Sequence, residues 1–180
     1  MADARPAERG ATAFLARWRV TLGFVAGALA LWLAEPTART LAAGVPIAAA
    51  GESLRLWAAG HLHKSREVTS SGPYRWLAHP LYAGSSAIGA GIAIAAGSIV
   101  VAAVAAAYLT ATLTAAVRSE EAFLRRTFGD RYVEYRRGGE VESEARRFAW
   151  SQAIANREHR AIVGLLVALA LLALKARLAA

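Results

Sequence analysis

The 180-residue chain contains no cysteine. Disulfide bonds, thiolate metal sites and a cysteine nucleophile are therefore excluded. Lysine is scarce: Lys64 and Lys175 are the two lysines among 21 basic residues. Charge of either sign is missing over 37 consecutive positions, from Leu81 to Val117. A soluble domain of this length would scatter its charges. A single helix across that run would extend roughly 55 Å at about 1.5 Å per residue, well beyond a hydrocarbon core of about 30 Å. Two spans joined by a turn at Gly97-Ser98 fit better. A short apolar core followed by a small-residue cleavage site is not evident at the N-terminus, so the first apolar stretch is expected to remain as an anchor.

What is present is apolar surface in blocks. The chain is 56% hydrophobic and carries a formal net charge of +8. It reads as one domain over residues 1–180, an all-α, multi-span transmembrane bundle of about five spans. These run over Val20–Ala34, Leu41–Gly60, Leu81–Ala96, Ile99–Val117 and Ala161–Leu174, the last being short. Phe14–Arg19, with Arg17, Trp18 and Arg19, forms an interfacial lead-in to the first span. Between the fourth and fifth spans, Arg118–Arg137 has Phe123, Leu124 and Phe128 at helical spacing among charges. That pattern predicts a cytosolic amphipathic helix at the membrane surface, interrupted at Gly129-Asp130. Gly138–Glu144 is polar and expected to be loose.

A positive balance of this size raises the question of nucleic acid. The basic residues cluster beside the apolar spans, which points to membrane orientation and not to a nucleic-acid partner. With five spans, 17 of the 21 basic residues fall on one side, together with the N-terminus and the segments 61–80 and 118–160. That side is predicted to be cytoplasmic. The many alanines and arginines suggest a GC-rich bacterial genome, so the expected location is a bacterial inner membrane.

Four features can carry chemistry. Ser71 to Tyr82 combines a Gly72-Pro73 turn with His79-Pro80. His79 is expected to be extended and Pro80 to open a helix whose N-terminus favours an anion. An interfacial belt of Tyr, Trp and His is the alternative. Gly89 and Gly91 admit close approach of a ligand or of a neighbouring helix. Glu120-Glu121 suits a cation or sugar hydroxyls, or is a solvated helix end. Glu52 and Arg55 lie inside a span, where ionisable side chains serve function or pair with each other. His61, His63 and His79 have no acidic residue at ligand spacing, so no metal site is expected.

In order and content these residues resemble the isoprenylcysteine carboxyl methyltransferase and phospholipid methyltransferase superfamily. The resemblance runs through Leu54-Arg55-Leu56-Trp57, Gly72-Pro73-Tyr74-Arg75, His79-Pro80-Leu81-Tyr82, Gly89-Ala90-Gly91, Glu120-Glu121 and Phe128-Gly129-Asp130-Arg131-Tyr132. It implies S-adenosylmethionine as methyl donor and a lipophilic acceptor bearing a carboxylate, amine or thiol. Tyr74, His79, Tyr82, Gly89, Gly91, Glu120 and Glu121 would hold the donor. Arg55, Glu121 and Arg131 would act in catalysis or on the acceptor. The family commonly has Arg at the position of Ala78. Either Arg75 or another arginine substitutes, or the chain is a catalytically silent protein that keeps the fold. A sterol-reductase-like membrane enzyme is a further alternative. The resemblance leaves the oligomeric state open.

Overall fold

The computed structural model describes residue 25 and residues 27–63, 68–138 and 147–179. The Phe14–Arg19 lead-in, Lys64 and most of the loose stretch after Gly138 lie outside the described residues. Secondary structure among the described residues is entirely helical. After a helical stretch at residues 27–33 come α1 (Ala38–His61), a 3₁₀ turn (Gly72–Arg75), α2 (Pro80–Ala96) and α3 (Ile99–Phe128). The chain continues with α4 (Asp130–Arg136), α5 (Trp150–Ala155) and α6 (Glu158–Leu178).

Local chemistry explains the boundaries. Thr37 and Thr40 exchange side-chain and backbone hydrogen bonds in a capping box that opens α1. Pro80 starts α2 at a position where no amide hydrogen is needed. Gly97 ends α2 in the left-handed region at φ 66°, and a Cβ there would lie 2.3 Å from the Glu35 carbonyl oxygen. No other residue type fits that turn.

Two helices among the described residues, α3 and α6, are long and apolar enough to cross a membrane. In their most apolar windows only 6% and 11% of residues are buried inside the protein, so their apolar side chains face outward. A core helix of a soluble protein would be covered. The last apolar segment is longer than the sequence pattern implied, because the helix extends from Glu158 through Lys175 to Leu178. α2 has 17 residues, and α1 is long but carries Glu52 and Arg55. Among the described residues, then, two helices have the length and hydropathy to span, and the five spans read from the sequence are not all matched by such helices. The surface helix expected after Val117 is not a separate element. α3 runs unbroken to Phe128, since nothing from Arg118 to Phe128 interrupts a helix, and Gly129 makes the break at φ 52°.

α1 and α2 form the closest pair. A Cβ on Gly44 would stand 2.3 Å from the Gly91 carbonyl oxygen, and one on Gly51 would stand 2.7 Å from that of Gly84. The two backbones are in contact along a seam of small residues. α5 is fastened to the C-terminal end of α1. Gln152 Nε2 donates to the Leu62 carbonyl at 2.7 Å, and Asn156 Nδ2 donates to those of Ala59 and Leu62 at 2.8 and 2.9 Å. At the opposite end, Lys175 Nζ donates to the Leu31 and Trp32 carbonyls, both at 2.7 Å.

Candidate functional site

The site is built where the N-terminus of α2 meets the polar end of α3. His79 is the N-cap residue of α2, with non-helical backbone angles forced by the following proline. Its ring projects to α3, where Glu120 and Glu121 are the 22nd and 23rd residues of the 30-residue helix. His79 Nε2 is 3.3 Å from Glu121 Oε1, and Nδ1 is 3.8 Å from Glu120 Oε2. Tyr82, one turn into α2, lies 5.8 Å ring to ring from His79 and shares a hydrogen bond with Glu120.

α4 closes the cluster. The Gly129 break turns the chain so that Arg136 Nη2 comes to 3.2 Å from Glu121 Oε1, while Arg125 reaches Glu121 Oε2 at 3.9 Å. The Tyr135 hydroxyl donates to the Tyr74 carbonyl at 2.7 Å, tying α4 to the 3₁₀ turn. Burial pushes the Tyr135 phenol up to about 12, with nearby Tyr132 adding to the effect and Arg136 opposing it. Burial also holds the Tyr74 phenol protonated far above its ordinary range, and the Glu120 carboxylate reinforces this.

A cavity of about 200 Å³ opens beside the cluster. Tyr74, Phe123, Leu124 and Tyr135 form its walls, Glu120 stands at one edge, and Ala78 contributes to the lining. A groove of about 440 Å³ runs between α2 and α3, past Ser86, Gly89, Ala93, Leu109 and Leu113.

The structure thus brings together Tyr74, His79, Tyr82, Glu120 and Glu121. It places the other sequence candidates elsewhere. Gly89 faces α3, where a Cβ would meet Leu109 Cδ1 at 2.1 Å, and it lines the groove. Gly91 faces α1, where a Cβ would meet the Ala48 amide nitrogen at 2.4 Å. Arg55 lies on the α1–α6 side of α2. Its Nε donates to Glu158 Oε1 at 2.6 Å and its Nη1 donates to Ser85 Oγ, while Glu52 Oε2 is farther off at 3.9 Å. The main partner of Arg55 is therefore Glu158 and not the i−3 residue. Arg131 is exposed on α4, next in sequence to buried Tyr132.

Thr69 and Tyr132 also line the cavity, and nothing in the sequence singles out Thr69 or Arg136. Arg136 is one of ten arginines in its segment, and no spacing rule marks it. Tyr132 carried a signal in the Phe128-Gly129-Asp130-Arg131-Tyr132 run.

No curated protein and no solved structure matches the chain. A family model does, and its matched region covers Arg55, Tyr74, His79, Tyr82, Glu120, Glu121 and Arg131, leaving Tyr132 and Arg136 just beyond and Glu158 farther along the chain. With residues 18–131, more than half of the chain, matched by the phospholipid methyltransferase model, the chain belongs to the phospholipid methyltransferase family.

Proposed function

We propose that this chain transfers a methyl group from S-adenosylmethionine to a lipophilic acceptor at the membrane–cytosol boundary. Family membership implies a methyltransferase at the membrane; the donor, the acceptor and the site roles are our reading. The observation that supports it most is the meeting of His79 with Glu120 and Glu121 beside a cavity.

The side chains fit the donor's chemistry. Its ammonium calls for a carboxylate, which Glu121 or Glu120 supplies. Its carboxylate calls for donors, which Arg136, Arg125 and the first-turn amides of α2 supply. The Tyr82 ring suits a cationic centre, by an attraction of about 0.5–2 kcal/mol. When bound, the donor supplies an electrophilic methyl group on sulfur. The protein's part is to hold both reactants in line and to exclude water. Glu121 and His79 are placed to take a proton from an acceptor amine or thiol; a carboxylate acceptor has none to give. Ala78 leaves open a cavity wall that the family commonly fills with arginine. Arg136 brings a guanidinium to the same cluster from α4, which favours an active enzyme over a silent scaffold.

The groove between α2 and α3 gives an apolar acceptor a path from the bilayer. We place five spans in a bacterial inner membrane, taking α1 and α2 as spans as well. At about 1.5 Å per residue α2 covers roughly 25 Å, close to a hydrocarbon core of about 30 Å. The N-terminus and the His79–Glu121 cluster then face the cytosol, in keeping with the basic residues on that side.

Calorimetry of the detergent-purified chain with S-adenosylmethionine tests this reading. Saturable binding with one donor per chain is expected, and folded protein that binds no donor would overturn it. Transfer of a labelled methyl group to extracted membrane lipids then identifies the acceptor.

A further inference from the structure

Two hydroxyl groups in the cavity have no partner. Thr69 is 7% exposed and Tyr132 is 1% exposed. Neither Thr69 Oγ1 nor the Tyr132 hydroxyl makes a hydrogen bond among the described residues. Both residues line the same 200 Å³ cavity. Buried hydroxyls are nearly always satisfied, because leaving one dry forfeits its hydrogen bonds to water. Two such groups in one small cavity, reached from separate elements, point to a ligand that supplies the missing partners.

The cavity also states what kind of group it takes. Its volume is below the roughly 300–1,000 Å³ of pockets that enclose a whole small molecule. It therefore holds one part of a larger ligand. Its walls are aromatic and aliphatic: Tyr74, Phe123, Leu124 and Tyr135. A zwitterion there would lose solvation, with Glu120 and His63 as the side chains of the described lining that can carry charge near neutral pH and no guanidinium for its carboxylate. The ion-pairing groups His79, Glu121, Arg125 and Arg136 all belong to the adjoining cluster. A flat, neutral heterocycle with donors and acceptors on its edge matches both the walls and the two hydroxyls, since each hydroxyl can donate and accept.

We propose that Thr69 and Tyr132 read the hydrogen-bonding edge of the methyl donor's purine, with the cavity as the base pocket. Glu120, at the edge shared with the His79 cluster, then faces the ribose. The proposal rests on the donor reading above and adds the recognition of the base to it.

The test uses the full chain in detergent and two ligands, S-adenosylhomocysteine and its inosyl analogue, in which the 6-amino group is replaced by oxygen. Affinities are measured by calorimetry for the unaltered chain, Thr69→Val and Tyr132→Phe. The unaltered chain is expected to prefer the adenosyl ligand by about tenfold, the worth of one hydrogen bond or slightly more. Each variant is expected to lose about tenfold in adenosyl affinity and much of that preference. Both variants remove an unpartnered hydroxyl at nearly constant shape, so the ligand-free thermal midpoint should hold or rise. Variants that bind both ligands as the unaltered chain does overturn the base-pocket assignment and leave the donor reading standing. A variant whose midpoint drops sharply shows that its hydroxyl is satisfied within the protein, which also overturns the assignment. An unaltered chain that binds neither ligand overturns the donor reading, and the base pocket with it.

Discussion

His79 Nε2 lies 3.3 Å from Glu121 Oε1, a contact between the opening of one helix and the far end of the next, 42 positions along the chain. Replacement Glu121→Gln keeps the shape and removes the charge. Donor affinity should fall roughly 10- to 100-fold, the scale of a hydrogen bond to a charged group. Stability should change by about 1 kcal/mol or less, because the carboxylate's partners Arg125 and Arg136 are largely exposed. Calorimetry and a thermal melt on the same sample separate the two effects. A large loss of stability with unchanged affinity would mark the contact as purely structural.

Gly91→Ala should destabilise the fold by about 1–3 kcal/mol, the scale of overpacking. Its new methyl group would meet the α1 backbone, which has no flexible side chain to yield. Gly164, on α6, has nothing within 4 Å, so Gly164→Ala serves as the control and should be neutral or mildly stabilising. Equal melts for the two variants would contradict the close α1–α2 approach.

The pH dependence of stability should carry the mark of Tyr135. Its phenol is raised from 10 to about 12 in the folded chain. The folded state thus holds this proton more tightly than the unfolded state does. The associated stability is fully present below pH 10 and is lost as pH rises toward 12. The main cause is burial, which disfavours the phenolate, and Tyr132 adds to it. Ionisation would also remove the proton that Tyr135 donates to the Tyr74 carbonyl. Tyr135→Phe should start less stable and show a weaker fall over that window. Denaturation midpoints at stepped alkaline pH, with phenolate absorbance as a second probe, make the measurement.

Glu158→Ala should cost about 3–5 kcal/mol, because it leaves the Arg55 guanidinium without its main partner in a poorly hydrated place. Replacing both residues with apolar side chains of similar volume should recover most of that stability. Detergent melts of the single and double variants test this. Additive losses would show that the pair is not coupled.

Much of this architecture could be read along the chain, and the misses share one physical cause. Pro80, Gly97 and Gly129 act on their own backbone, so the start of α2, the turn after it and the break before α4 all follow from local rules. Gly89 and Gly91 look like one unit in sequence. Two positions on an α-helix differ by about 200° in direction, so one glycine faces Leu109 and the other Ala48. The Glu158 that engages Arg55 is 103 positions away, and no periodicity connects them. The same holds for Arg136 and Glu121. Their meeting depends on the bend at Gly129, which sequence reveals as a bend but not in its direction. The convergence of His79 with Glu120 and Glu121 was legible through family resemblance, while the unpartnered hydroxyls of Thr69 and Tyr132 emerge only when the cavity is seen.

The Lys175 ammonium holds the Leu31 and Trp32 carbonyls, the latter 143 positions earlier in the chain. During synthesis those two carbonyls are made long before the residue that secures them. The helical stretch at residues 27–33 must therefore wait for residue 175 to emerge before its end is fastened. Shortening the protein ahead of residue 175 would leave that stretch unlatched, however intact the His79–Glu121 cluster at the opposite end.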